Sequence, residues 1–219
     1  MTRKQIAALF ASAFLVALIS LLPVACGGGG GGGGEETPAL TDVPRTTCKP
    51  AEPVVLSTPT DLPPGVTEYQ SPERGYRVRY PSNWEVQPNQ IALGNIAGDV
   101  FFSPTAIGEI KPNISVSCEM IPVGTTSQQF LDSKLAVMSQ VYGESPSVER
   151  TLTVDGKDAS MVRYTVTSES TPEPLTVDKV DILFADDLGG WTLTLVAPEG
   201  ATGTYWSALD AFVKSFQGL

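Results

Sequence analysis

The chain has 219 residues, a formal charge of −10 and no histidine. Without histidine, serine–histidine and cysteine–histidine nucleophile pairs and histidine-ligated zinc or haem are excluded. The acidic balance disfavours nucleic acid and adhesion to anionic lipid, since both ligands are themselves polyanions. Residues 1–25 open with Arg3 and Lys4 and continue in an apolar run from Ile6 to Leu22, broken by Ser12 and Ser20. That is the layout of a secretory signal. The run ends in Leu21-Leu22-Pro23-Val24-Ala25-Cys26, and eight glycines follow, Gly27 to Gly34.

This junction resembles the bacterial lipoprotein signal peptide, whose lipobox is roughly Leu, a small residue, Ala or Gly, then Cys. Val24, Ala25 and Cys26 match it; Pro23 departs from the usual leucine, and Leu22 stands one place early. The resemblance implies that Cys26 receives diacylglycerol, that the leader is cut before it, and that the new N-terminus is acylated. Because one acyl chain binds a membrane only marginally, anchorage calls for two or more. The alternative reading of the same run is an uncleaved transmembrane anchor, for which about 19 apolar residues suffice. Both readings put the remainder in the cell envelope, on the outer side of the cytoplasmic membrane or in the outer membrane. Residues 26–64 read as a lipidated cysteine followed by a disordered tether. Glycine makes its first part flexible, and Pro38, Pro44, Pro50, Pro53, Pro59, Pro63 and Pro64 stiffen the rest. A coil of that length spans roughly 34 Å, enough to clear the lipid headgroups.

Residues 65–219 hold one domain of about 150 residues, large enough for its own core. Tyr76, Val78 and Tyr80 alternate with Arg77 and Arg79, and Ser71-Pro72-Glu73-Arg74-Gly75 precedes them as a turn. The pattern predicts a hairpin with a first strand over 66–70. Pro81 stops the second strand, and Trp84 is expected to fold back onto the core. Short strands are expected at 91–93 and 99–103, between turn residues Asn89, Gly94, Asn95 and Gly98. Ile114, Val116, Cys118 and Met120 alternate with Ser115, Ser117 and Glu119, a strand with Cys118 on its apolar face. Leu131, Leu135, Met138 and Val141 or Tyr142 recur at helical spacing over 127–142, with Ser127 as N-cap and Gly143 as terminator. Strands at 148–154 and 157–167 meet across Asp155-Gly156, a hairpin signal. Strands at 177–185 and 191–197 meet across 186–190. A final helix over 204–217 buries Tyr205, Leu209, Phe212, Val213 and Phe216. Val180, Ile182, Leu183 and Phe184 put apolar residues on both faces of the strand, as in a sheet covered by a helix on each side.

The opening of the domain is similar to that of PsbP-like domains. The residues that carry the resemblance are Tyr69, Ser71, Pro72, Gly75, Tyr76, Val78, Tyr80, Pro81 and Trp84, with the closing Val213-Lys214-Ser215-Phe216. It implies an α+β fold shared with the Ran-binding Mog protein of yeast: an antiparallel sheet flanked by helices on both faces, an α/β/α sandwich. The family includes photosystem II subunits and many bacterial lipoproteins of unassigned role, so it speaks to fold more than to activity. A divalent-metal site of the kind discussed for some relatives has no histidine here to carry it, and no metal or other cofactor is expected.

Few residues point to chemistry. Cys48 and Cys118 are an even pair in an oxidising compartment, so a disulfide is possible; a buried free thiol at Cys118 is the alternative. Arg74, Arg77 and Arg79 form a basic patch that suits an acidic partner, or else the charged solvent face of an edge strand. Asp186 and Asp187, and Asp155 and Asp158, offer carboxylates for calcium, though their spacing is that of ordinary solvated turns. Asn113-Ile114-Ser115 matches a glycosylation acceptor in form only. No carboxylate pair is nominated as catalytic. The reading is a non-catalytic accessory lipoprotein that contacts an envelope or membrane protein. The alternative is a small-ligand or lipid carrier with a pocket between sheet and helix.

Overall fold

Val66–Ser71 (β1) and Tyr76–Pro81 (β2) pair antiparallel from Val66↔Pro81 to Ser71↔Tyr76. In this computed structural model the described residues are 43–56, 61–142, 146–168 and 174–219. The expected leader, Cys26, the glycine run and Gly143 lie outside them. β2 also pairs with a two-residue strand at the C-terminus, Gln217–Gly218 (β10), giving a three-stranded sheet.

The main sheet has seven strands. Glu85–Leu93 (β3), Ile96–Phe102 (β4) and Asn113–Glu119 (β5) follow the hairpin. The helix Ser127–Tyr142 (α1) comes next. Val148–Val154 (β6), Lys157–Ser168 (β7), Leu175–Ala185 (β8) and Gly190–Pro198 (β9) complete the sheet. A 3-10 turn at Thr202–Tyr205 leads into the helix Trp206–Ser215 (α2). Every pairing is antiparallel, in the order β3-β4-β5-β9-β8-β7-β6. The fold is therefore α+β, built on large antiparallel sheets with few helices.

Local chemistry explains most of the element ends. Asp155 and Gly156 both adopt positive φ (47° and 74°), as a two-residue turn between β6 and β7 requires. β3 begins earlier than its expected strand at 91–93. Asn89, which reads as a turn residue, sits instead with Pro88 in a register shift between Gln87 and Ile91, so the strand is bulged and not interrupted. The start of α1 also differs from expectation. Ser127 does not cap it; its Oγ accepts a hydrogen bond from the Ala185 amide. Thr126 caps it instead: Thr126 Oγ1 accepts from the Gln129 amide, and Gln129 Oε1 accepts from the Thr126 amide. This reciprocal pair is a capping box. Gln217, expected at the helix end, belongs with Gly218 to β10.

The apolar residues gather in separate clusters. The largest unites Tyr76 and Val78 of β2 with Phe101, Val116, Cys118, Ile182, Phe184, Trp191 and Leu193, and with Leu209, Phe212 and Val213 of α2. Aromatic rings dominate it. Tyr76 stacks on Phe216 with centroids 5.6 Å apart, and Phe101 meets Phe212 edge-on at 4.8 Å; such pairs add to simple burial. Trp84 packs at its margin, edge-on to Tyr205. A second cluster unites Phe130 and Leu131 of α1 with Val162, Leu183 and Ala185.

Candidate functional site

β5, β9 and β8 lie side by side at the middle of the main sheet. Successive strand residues face opposite ways; one set of these strands' residues is apolar, while the other mixes polar residues with buried Val177, Leu183 and Val196. The polar set is Ser115 and Ser117 on β5, Thr192 and Thr194 on β9, and Lys179 and Asp181 on β8. Register brings them together: Ser115 and Asp181 both oppose Thr194, and Ser117 and Leu183 both oppose Thr192. α1 adds Lys134 and Met138, and β7 adds Tyr164. Together these groups line a cavity of about 40 Å³ between helix and sheet. Glu119 and Lys134 pair with each other and are the most exposed charged side chains of the lining.

Two charges inside are unusual. Lys179 and Asp181 are each only 3% exposed, yet they form no ion pair with each other within 4 Å among the described residues. Burial pulls the Lys179 ammonium below its ordinary range, partly countered by the charge of Asp181. The Lys179 Nζ stands 5.5 Å from the centre of the Tyr164 ring. Tyr164 donates its hydroxyl to Asp181 Oδ2 at 2.7 Å, while the buried Oδ1 has no partner. Burial first, then the nearby carboxylate of Asp181, drive the Tyr164 hydroxyl well above the usual tyrosine range. The same two causes push Tyr142 up to about 12. An unpartnered carboxylate oxygen in a low-dielectric site is costly unless something meets it.

The basic patch expected at Arg74, Arg77 and Arg79 does not exist as a unit. Arg74 is buried at 6% exposure, and its Nη1 donates to Asp99 Oδ1 at 2.9 Å. Asp99 is fully buried and also accepts from the Tyr76 hydroxyl at 2.5 Å and the Asn89 amide at 2.8 Å. Arg74 therefore holds the β1–β2 turn to the β3 bulge and β4. Arg77 and Arg79 remain on β2, half-buried: Arg77 donates to Gln217 Oε1 at 2.7 Å, and Arg79 lies 3.5 Å from Glu68. The acidic turns have structural duties. Asp186 Oδ1 accepts from the Leu188 and Gly189 amides, and Asp155 Oδ2 accepts from the Gly218 amide. Among the described residues no group of three or more Asp, Glu or Cys side chains could hold a metal ion.

Cys48 and Cys118 are joined by a disulfide, with Cα atoms 5.7 Å apart. Cys118 is fully buried in β5, so the stretch around Cys48 packs onto the domain. The Thr46 amide donates to the Ile121 carbonyl, the Cys48 amide to the Leu188 carbonyl, and the Val123 amide to the Pro44 carbonyl. A Cβ on Gly189 would collide with both sulfurs, so the β8–β9 turn needs a glycine there.

Sequence reasoning did not single out Lys179 and Asp181. A signal was present: both share strand parity with Val177 and Leu183, so two charges interrupt an apolar row in a strand with apolar residues on both faces.

No family model matches the chain, and no curated protein matches its sequence. Solved structures do resemble it. The solution structure of cyanobacterial PsbP (CyanoP) from Synechocystis sp. PCC 6803 aligns with TM-score 0.48 and 14% identity, over 75% of this chain and 99% of that one. A Bacteroides thetaiotaomicron protein aligns at TM-score 0.43 and 13% identity, over 69% of this chain and 48% of its own. LpqN, involved in cell envelope biogenesis of Mycobacterium tuberculosis, aligns at TM-score 0.38 and 14% identity, over 69% of this chain and 90% of its own. Among the described residues no helix is long and apolar enough to cross a membrane.

Proposed function

We propose that the chain is a non-catalytic accessory lipoprotein. Acyl chains on Cys26 hold it outside the cytoplasmic membrane, and its domain contacts an envelope or membrane protein. The observation that carries this reading is the Cys48–Cys118 disulfide. Disulfides persist in oxidising compartments, and this one fastens the stretch around Cys48 to β5. The motif residues of the PsbP-like resemblance support the architecture proposed with it: Ser71 to Tyr76 form the β1–β2 turn, and Phe216 stacks on Tyr76. A three-layer arrangement, one helix over each face, is supported by alternation along β8. Ile182 and Phe184 cluster with α2, and Leu183 and Ala185 cluster with α1.

The test is crosslinking and affinity capture of the full chain from native membranes. A single protein recovered in stoichiometric amount supports the reading, and recovery of none opposes it. A lipid-carrier role is disfavoured by the cavity between α1 and the sheet, because about 40 Å³ with a hydroxyl-rich floor suits no acyl chain.

A further inference from the structure

We propose that the cavity under α1 binds the zwitterionic head of a small α-amino acid. The carboxylate of the ligand meets Lys179, and its ammonium meets Asp181. The site stands apart from the anchoring reading, since none of its residues lies in the leader or tether.

Three observations converge on this. First, the cavity holds one buried cation and one buried anion that do not pair with each other. The two remaining charges of the lining, Glu119 and Lys134, neutralise each other at the rim. A zwitterion leaves the site electrically balanced, whereas an anion or a cation alone leaves one buried charge unmet. Second, Asp181 keeps one oxygen for a donor. Its Oδ2 is taken by the Tyr164 hydroxyl, and its buried Oδ1 has no partner. Third, the floor offers hydroxyls from Ser115, Thr192 and Thr194, which can donate to a carboxylate or accept from an ammonium. Lys179 and Asp181 stand two residues apart on one strand, so their Cα atoms are separated by roughly 6 to 7 Å. A molecule with opposite charges on neighbouring atoms can bridge that gap.

Size limits the ligand. About 40 Å³ is room for about three water-sized groups, which is a carboxylate with its ammonium-bearing carbon. Glycine and alanine fit that limit, and a bulky side chain would have to leave past Glu119 and Lys134.

The experiment is equilibrium dialysis of the full chain in detergent micelles against radiolabelled glycine, with acetate and methylamine as competitors. Saturable binding of one glycine per chain is expected, with acetate and methylamine each at least about tenfold weaker, the loss of one charged contact. Lys179→Met and Asp181→Asn should each abolish glycine binding while the circular dichroism spectrum is retained. Asp181→Asn keeps an amide oxygen that can accept from the Tyr164 hydroxyl, and Lys179→Met keeps an unbranched apolar stem in the place of the lysine stem. Cys26→Ala should bind glycine as the parent does, which separates this site from the anchoring proposal. The inference is overturned by no saturable glycine binding up to roughly 10 mM, an order of magnitude above a millimolar Kd. Acetate binding as tightly as glycine, or undiminished glycine binding by Lys179→Met, overturns it equally.

Discussion

Arg74 shows what a single side chain can hide. It lies in an exposed-looking turn between other charges, and its partner Asp99 is 25 residues away. Nothing local announces that pairing, because a buried ion pair is a property of the assembled sheet. The pair matters because each charge is removed from water. Taking away one partner leaves the other uncompensated, at a cost of about 3–5 kcal/mol. Asp99→Ala should therefore lower the urea midpoint strongly, and the Tyr76 hydroxyl and Asn89 amide lose an acceptor with it. The double replacement Arg74→Met with Asp99→Leu should recover part of the loss, since no lone charge remains. The burial of Lys179 and Asp181, like that of Arg74, is not written in residue type, which does not reveal which charges a sheet encloses.

At the scale of elements the sequence was more legible. Alternation placed β1, β2 and β5, helical spacing placed α1, and Asp155-Gly156 placed the β6–β7 turn. Short-range stereochemistry decides each of these, so the signal is local. What escaped was less local. Pro88 and Asn89 normally punctuate a strand, but here the bulge absorbs both and the Asn89 amide is satisfied by Asp99. The α1 cap was displaced by one residue because two adjacent hydroxyls competed; Thr126 has Gln129 three places on, and Ser127 has no such partner. Thr126→Ala should cost about 1 kcal/mol, readable in a thermal melt. The disulfide links elements 70 residues apart. Replacing Cys48 and Cys118 together with alanine should cost about 4 kcal/mol through the freed unfolded chain. It should also open residues 43–56 to proteolysis, since the remaining hydrogen bonds from Pro44 to Cys48 onto the domain are backbone bonds, the hydroxyl pair of Thr46 with Ile121 and one from Arg45 to the Met120 carbonyl.

The whole molecule carries its buried tyrosines as a shared liability at high pH. Tyr69 and Tyr142 are pushed up to about 12, chiefly by burial, and Tyr76 and Tyr164 lie well above the ordinary value of 10.0. A raised folded-state pKa means the folded protein keeps protons that the unfolded chain releases. The corresponding stability is fully present below pH 10 and is lost as pH rises through the folded values. Lys179 acts in the opposite sense: its value is lowered from 10.5, so its penalty eases as pH climbs toward that value. One lysine opposes five tyrosines, since burial raises Tyr80 as well, and its window closes where theirs opens. Urea midpoints measured from about pH 8 to about pH 12 should thus change little at first and fall steeply above about pH 10.

The Cys48–Cys118 disulfide ties the domain to its own N-terminal stretch, and the proposed acyl chains on Cys26 would tie it to lipid. Intact and peptide mass spectrometry of the chain purified from native membranes addresses both ties together. The expected species begins at Cys26, carries diacylglycerol and a further acyl chain there, and retains the Cys48–Cys118 link until reduced. A species that still carries residues 1–25, or one that begins at Cys26 without lipid, would contradict the account.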